Sequence, residues 1–173
     1  MWCSDRRAFV LAVALLAGGC GFQPLYAPGT PAANMIGTIA VAPIAGDEPA
    51  FLMRERLTER LGAAELADYR LEVTLKLTRR GVALTQQDYT TRYNITGVAD
   101  YRLVALAGGP PVRTGRVESF TGYSAPESET ASAFASRVAE QDAELRLAAT
   151  LADRIVMELA ITADDRALPA PAP

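Results

Sequence analysis

Few residue types in this sequence can carry out chemistry. The 173 residues include no histidine and only two cysteines, Cys3 and Cys20. Ser-His-Asp catalysis, Cys-His catalysis and His-ligated metal sites are therefore excluded. The sequence also has no phosphate-binding loop, glycine-rich dinucleotide turn, G-x-S-x-G motif or cysteine pair at metal-ligand spacing. We expect a protein that is not an enzyme and that uses no metal or cofactor. The remaining candidates are the Cys20 thiol and three arginines.

Cys20 follows a segment typical of a secretory signal, with a basic start at Arg6, an apolar run over residues 8–17, and Gly18 and Gly19 before the cysteine. The run is too short for a spanning helix, which needs about 20 apolar residues. We predict cleavage after residue 19 and acylation of Cys20, as in bacterial lipoproteins. An ordinary cleaved signal with an accidental cysteine is the alternative. Acyl chains would anchor the mature chain, since each buried CH₂ contributes about 0.8 kcal/mol. Gly21, where inner-membrane lipoproteins often have aspartate, points by analogy to the outer membrane.

The three arginines, Arg79, Arg80 and Arg92, flank a predicted connection between two strands. One interpretation is a solvated hairpin tip. The other is a phosphate-binding patch, because the guanidinium group binds phosphate through a bidentate fork, and such a patch would suit a phosphorylated lipid. The formal net charge is −3, and the sequence has no larger basic cluster. Binding to nucleic acid is therefore not expected.

Hydrophobic periodicity predicts an α+β domain. The pattern is clearest in residues 69–78, where apolar and polar side chains alternate without a miss, as in a half-buried strand. The predicted elements are a strand over 36–42, a helix over about 46–62, strands over 69–78, 92–106 and 112–123, and a helix over about 129–161. Residues 79–90 are predicted to connect two strands. Gly97 predicts a bulge or bend in the third strand, and Gly115 a shift of phase in the fourth.

The strands need a cover for their apolar faces, and the two helices can supply it. We therefore predict a two-layer sandwich in the order β-α-β-β-β-α, with about four mostly antiparallel strands packed against two helices. The domain organisation is a signal peptide at 1–19, lipidated Cys20 and a spacer at 20–35, the α+β domain at 36–163, and a disordered Pro/Ala tail at 164–173.

In the run Cys20-Gly21-Phe22-Gln23-Pro24-Leu25-Tyr26, Gly-Phe and then Pro-Leu follow the cysteine. This run resembles the start of the LPS-assembly lipoproteins of the LptE (RlpB) family, in which the lipidated cysteine is followed by Gly-Phe and Pro-Leu. The segments 69–73, 92–95 with 100–103, and 139–143 through 151–155 resemble its second strand, third strand and last helix. Together these segments span nearly all of the mature chain.

The resemblance implies an outer-membrane lipoprotein, anchored at the periplasmic side, that plugs a large LptD-like β-barrel. The plug would help the barrel to fold, and plug and barrel would together insert lipopolysaccharide into the outer leaflet. Its expected partners are the barrel, lipopolysaccharide and the membrane, and Arg79, Arg80 and Arg92 are candidate lipopolysaccharide-binding residues. The alternative function is a stand-alone envelope lipoprotein that binds a small ligand or envelope component between sheet and helices.

Overall fold

In the computed structural model, four strands form one mixed sheet, and helices cover one of its faces. The structure describes residues 29–64, 66–84, 90–125 and 132–165. The elements are α1 (Pro31–Met35), β1 (Ile39–Val41), α2 (Glu48–Leu61), β2 (Tyr69–Leu84), β3 (Thr90–Ala105), β4 (Arg113–Ser124) and α3 (Ser132–Asp165). The predicted α+β fold and its element order are confirmed, with α1 as an additional short helix. The signal peptide, Cys20 and the tail from residue 166 lie outside the described residues.

The sheet has the strand order β1-β2-β3-β4, so consecutive strands are neighbours. β1 pairs with β2 in parallel, which the crossover through α2 permits. β2, β3 and β4 pair antiparallel. Because side chains alternate across a strand, odd-numbered residues of β2, β3 and β4 point to the helices and even-numbered residues to the other face. The buried residues Leu71, Ile95 and Val117 all obey this rule.

The core lies between the inner sheet face and the helices. On the helical side it contains Met53, Leu57, Leu61, Leu147, Leu151, Ile155 and Leu159, all nearly inaccessible to solvent. α3 has 34 residues and is therefore about 50 Å long. None of the helices in the described part of the chain is both long enough and apolar enough to cross a membrane.

The predicted spacer is shorter than expected, because its last residues form α1. Thr30 accepts a hydrogen bond from the Ala33 amide at 3.2 Å and so caps this helix. Ala32 and Met35 are buried in the core. The first strand is correspondingly short and begins at Ile39 rather than Ile36, since residues 36–38 turn out of α1. The five-residue helix is too short for periodicity to reveal it.

The predicted connection over residues 79–90 is wrong at both ends, because β2 continues to Leu84 and β3 begins at Thr90. Arg79 pairs with Ile95, and Arg80 pairs with Asn94. The ladder becomes irregular only after Gly81, where the register shifts before Ala83. Apolar alternation stops near residue 78 because the described side chains of residues 78–82 are exposed. The backbone of these residues stays paired with β3, but their side chains are not buried, so hydrophobic periodicity does not reveal the strand here.

The bulge predicted at Gly97 and the shift of phase predicted at Gly115 are also wrong. The register runs without a shift through Gly97 and through Gly115. Gly97 is needed because α3 approaches β3 closely: a Cβ atom at this position would lie 2.8 Å from Leu151 Cδ1 and 3.1 Å from Leu147 Cδ2. Gly115 lies directly against the ring of Tyr101, whose hydroxyl oxygen would collide with an added Cβ atom. In both places glycine makes room for a packed side chain, and the strand register continues unchanged.

We expect Gly97→Ala to destabilise the domain by about 1–3 kcal/mol, the usual cost of overpacking a core. Replacing a strand glycine by alanine would otherwise stabilise the fold through the unfolded state, so the sign of the change is diagnostic. Urea unfolding measures it. Thr96→Ala, one residue away on the other sheet face, is the control and should change stability by no more than about 0.5 kcal/mol. A neutral or stabilising Gly97→Ala would contradict the close approach of α3.

Tyr101 joins β3 to α3 through its hydroxyl group, which donates to Glu158 Oε2 at 2.8 Å. Burial and this hydrogen bond raise the pKa of Tyr101 above its ordinary value. Above a pH of about 10, where tyrosines of the unfolded chain ionise, the folded state therefore binds more protons. Stability then falls as pH rises.

Tyr101→Phe should cost about 1–2 kcal/mol at neutral pH, because the hydrogen bond is lost. The variant should also lose less stability than the wild-type chain between about pH 8 and about pH 11. Its unfolded state has no tyrosine at position 101, so the ionisation that favours unfolding of the wild-type chain at this position is absent. Tyr69 and Tyr123, whose pKa values burial also raises, keep part of the slope. Denaturant unfolding at both pH values tests this, and equal alkaline losses for the two proteins would contradict it.

Candidate functional site

The outer sheet face, formed by the even-numbered residues of β2, β3 and β4, is not covered by any described helix. Its side chains are mostly charged or hydroxyl-bearing. They are Arg70, Glu72, Thr74, Lys76, Thr78, Arg80, Arg92, Asn94, Thr96, Asp100, Arg102, Thr114, Arg116, Glu118 and Ser124, with a few apolar residues between them. Such a face is stable against water or against another polar surface.

Opposite charges alternate across the middle of this face. Asp100 on β3 accepts two hydrogen bonds from Arg116 on β4, at 2.6 and 3.2 Å. This contact lowers the pKa of Asp100. The pair is exposed, so it organises the surface more than it stabilises the fold.

Phe120 is the exception on the outer face. It lies opposite Thr96, and 75% of its surface is exposed. Aromatic residues, phenylalanine included, are enriched at the centres of protein interfaces, so an exposed phenylalanine on this polar surface is a candidate interface residue. The sequence pattern alone does not distinguish Phe120 from a core residue. Its even number places it on the outer face, but this can be read only when the register of β4 against β3 is known.

Arg80 and Arg92 lie at the end of the outer face where β2 leads to β3, which we call the hairpin end. Asn94 on β3 lies between Arg80 on β2 and Gly122 on β4, and it pairs with both. Arg92 on β3 pairs with Ser124 on β4. Gly122 has no side chain, and an open concavity of about 590 Å³ lies here, lined by Val82, Arg92, Asn94, Gly122, Tyr123 and Ser124. Neither arginine forms an ion pair within the described residues. Both guanidinium groups are exposed and available to a ligand.

Arg79 lies on the opposite face from these two arginines. Its Nη1 atom contacts both carboxylate oxygens of Glu140 on α3 at 2.8 Å. Its guanidinium carbon lies 5.3 Å from the centre of the Tyr93 ring, and Tyr93 stacks on Tyr123 at 5.2 Å. The structure therefore brings Arg80 and Arg92 to one face and assigns Arg79 to the contact between the hairpin and α3.

The concavity has the chemistry of an anion site beside an apolar surface. The Arg92 guanidinium, the Asn94 amide and the Ser124 hydroxyl can all donate hydrogen bonds to phosphate oxygens. Val82, which is 51% exposed, supplies apolar surface at its edge. Within the described residues no group of three cysteine or acidic side chains is arranged to hold a metal ion. The site is suited to binding an anionic amphiphile.

Solved structures with the same fold come from several bacteria. A protein from Caulobacter crescentus CB15 is similar over 78% of this chain and 97% of its own length, with 24% identity and a TM-score of 0.59. The rare lipoprotein B from Shewanella oneidensis matches 73% of this chain and 96% of its own, with 18% identity and a TM-score of 0.53. A minor lipoprotein from Acinetobacter baumannii matches 74% and 94%, with 13% identity and a TM-score of 0.53. At these identities the likeness shows a shared fold.

The sequence itself carries the family assignment. No curated protein matches the chain. A family model described as LptE, lipopolysaccharide-assembly, matches residues 36–159, which extend from the turn before β1 into the last part of α3. The match covers well over half of the chain and includes both the outer sheet face and the hairpin. This chain therefore belongs to the LptE family of lipopolysaccharide-assembly proteins.

Proposed function

We propose that this protein is a non-catalytic plug and assembly partner of an LptD-like β-barrel in the outer membrane, where the pair inserts lipopolysaccharide into the outer leaflet. The observation that carries the proposal is the uncovered polar sheet face. The lumen of a large outer-membrane barrel is polar. A domain that fills such a lumen needs a broad polar surface, and three long strands provide one here.

The charge pattern of this face supports contact with a polar wall. Alternating charges such as Asp100 and Arg116 favour a partner surface with complementary charges and disfavour other partners. Phe120 adds an apolar anchor to the same face. Polar rows around one aromatic residue correspond to the anatomy of a protein interface, with an apolar centre and a hydrated rim.

We further propose that Arg80 and Arg92 bind phosphate groups of lipopolysaccharide, with Asn94 and Ser124 as additional donors. The concavity beside Arg92 opens on the outer face, and Val82 lies at its edge for contact with the apolar part of the lipid. Arg80 does not line the concavity, but it is the strand neighbour of Asn94, which does. Arg79 is already paired with Glu140. We therefore assign it to holding α3 against the hairpin, and its predicted contact with lipid stays a prediction.

Acylation of Cys20 completes the proposal. Acyl chains on this residue would hold the domain at the periplasmic side of the outer membrane, through a linker of about ten residues that ends at α1. A short tether of this kind raises the local concentration of the domain at the barrel mouth and favours assembly without any new contact.

The alternative function, a stand-alone lipoprotein with a ligand between sheet and helices, receives no support from the packing there. It requires a roomy apolar cavity between the two layers. In the middle of that interface the Gly97 backbone lies so close to Leu147 and Leu151 that even a methyl group would collide. The concavity at Arg92 lies on the surface and has polar walls.

Site-specific photo-cross-linking in the native membrane tests the plug. A photoreactive residue at Thr74, exposed on the outer face, should cross-link to the barrel. The same residue at Thr150, exposed on the solvent side of α3, is the matched control for general proximity. Cross-links from Thr74 to a large outer-membrane protein, at several times the yield from Thr150, are expected. Cross-links from neither position would refute the proposal.

A further inference from the structure

β4 is the last strand of the sheet, and within the described residues no strand pairs with its outer edge. The direction of its backbone groups follows from the neighbouring strands. The Leu106 amide, directly after β3, donates to the Asp68 carbonyl at 2.8 Å. Backbone N–H and C=O groups alternate in direction along a strand, so those of even-numbered β3 residues point to β2 and those of odd-numbered residues point to β4. In the β3–β4 ladder odd residues pair with odd residues. The N–H and C=O groups of Thr114, Arg116, Glu118, Phe120 and Gly122 therefore point to the free edge.

One of these edge groups is occupied by a side chain from the helical layer. Arg154 on α3 reaches around the edge, and its Nη1 atom donates to the carbonyl oxygen of Glu118. A second contact, from Arg113 Nη2 to the Thr162 carbonyl at 3.2 Å, fixes the start of β4 to the same helix. Capping an exposed edge with a charged side chain is a common way to prevent added strands from pairing.

The helix beside this edge also has uncovered apolar surface. Met157 and Ile161 follow Arg154 at i+3 and i+7 and so lie on the same side of α3. Their exposed fractions are 57% and 51%. A strand added to β4 would shield part of this surface.

The edge is complementary to itself in one register. When two β4 edges pair antiparallel, the even-numbered residues of one must lie opposite even-numbered residues of the other. With Val117 at the centre, Arg116 lies opposite Glu118 on both sides of the twofold axis, and opposite charges across a strand pair are favourable. Centring the pair on residue 116 or 118 places like charges opposite each other. The charge pattern thus selects the Val117-centred register among these three.

We propose that the free edge of β4 pairs with a second copy of this chain, centred on Val117, and that Arg154 keeps the edge closed. In this pairing the carbonyl of Glu118 accepts from the Arg116 amide of the second copy, so the cap by Arg154 must first be released. This pairing requires neither the barrel nor bound lipid.

The experiment compares the oligomeric state of the full chain, purified in detergent, with that of Arg154→Ala by light scattering. The twofold pair releases two caps, one in each copy. Each is a hydrogen bond from a charged donor, worth about 1.5–3 kcal/mol before exposure to water reduces it, so Arg154→Ala should raise the dimerisation constant at least about a hundredfold. Arg146→Ala is the matched control, because among the described residues the ion pair and hydrogen bond of the Arg146 guanidinium are to Asp142 on its own helix. Arg154→Ala/Glu118→Arg should be monomeric again, since Arg116 then faces arginine. A monomeric Arg154→Ala protein, or a wild-type chain that dimerises equally well, would overturn the proposal.

Cysteine cross-linking tests the register independently. Thr114 of one copy lies opposite Phe120 of the other, where Cα atoms about 5.5 Å apart permit a disulfide. Thr114→Cys/Phe120→Cys should form covalent dimers in the Arg154→Ala background at least about a hundredfold faster than with Arg154 present, in proportion to the dimerisation constant. Thr114→Cys alone and Phe120→Cys alone should not show this acceleration. Equal cross-linking by the single variants would refute the register.

Discussion

The Phe120→Asp variant should recover at least about tenfold less barrel than the wild-type chain when it is affinity-purified from outer membranes. Phe120 is 75% exposed in the free domain and lies among polar rows of the outer face. In the proposed complex it is the central apolar contact, and truncating such an anchor typically costs about 2 kcal/mol or more. Aspartate adds the cost of removing a carboxylate from water without a partner.

Phe134→Asp is the control for this prediction. Phe134 is 74% exposed, almost the same fraction as Phe120, but it lies on α3 in the helical layer. Its replacement should leave barrel recovery within about twofold of wild type, because surface changes away from an interface rarely exceed about 0.5 kcal/mol. Equal losses for both variants would mean that the outer face has no special role. An unchanged yield for Phe120→Asp would remove Phe120 as the anchor.

Replacing Arg80 and Arg92 together by glutamate should weaken binding of purified lipopolysaccharide about ten- to a hundredfold, while barrel recovery stays near wild type. Each arginine supplies a charge-assisted hydrogen bond, worth about 1.5–3 kcal/mol, and partial exposure to water reduces the sum. Glutamate then repels the phosphate groups. Binding measured by fluorescence titration in detergent at two salt concentrations should also show a weaker salt dependence for the variant.

Two controls separate phosphate recognition from general effects of charge. Arg102→Glu reverses an exposed charge on the same face, opposite Glu72 and near the other end of β3, and it should bind lipopolysaccharide like wild type. Dephosphorylated lipopolysaccharide should bind wild type and the double variant equally weakly. Unchanged affinity of the double variant for the phosphorylated lipid would show that Arg80 and Arg92 are solvated charges that do not bind the lipid.

Arg79 provides an internal contrast. Arg79→Ala removes the contact with Glu140 and should loosen the attachment of the first turns of α3, with a smaller effect on lipid affinity than the double variant. The sequence contained a signal for this difference. Arg79 has the same parity as Leu77 in a strand of period two, so it belongs to the helical face, whereas Arg80 does not. Treating residues 79–90 as a connection concealed that parity.

The sequence predicts the sheet well wherever one face of a strand is buried. Leu71 and Val73 repeat at every second position because odd-numbered side chains enter the core, and the faces of β2 and β3 follow directly. The same rule fails at the hairpin end. There, both faces meet solvent, so Arg80 and Val82 show no apolar periodicity although their backbones remain paired.

Close packing and contacts distant in sequence could not be predicted. Gly97 looked like a bulge because the sequence does not reveal that Leu147 and Leu151 approach it across the core. The candidate site has the same limitation. Asn94 and Ser124 join Arg92 at one concavity only through the register of β3 and β4, and a pattern within one strand does not specify that register.

The central claim, that this chain plugs an outer-membrane barrel, is tested most directly by affinity purification of the mature protein from outer membranes under mild detergent. The account predicts recovery of one large protein at equal stoichiometry, whose migration in gels changes on heating, as that of β-barrels does. It further predicts that this protein is reduced selectively by Phe120→Asp. Recovery of the chain alone as a solitary monomer, in the same detergent and with intact membranes as the source, would contradict it.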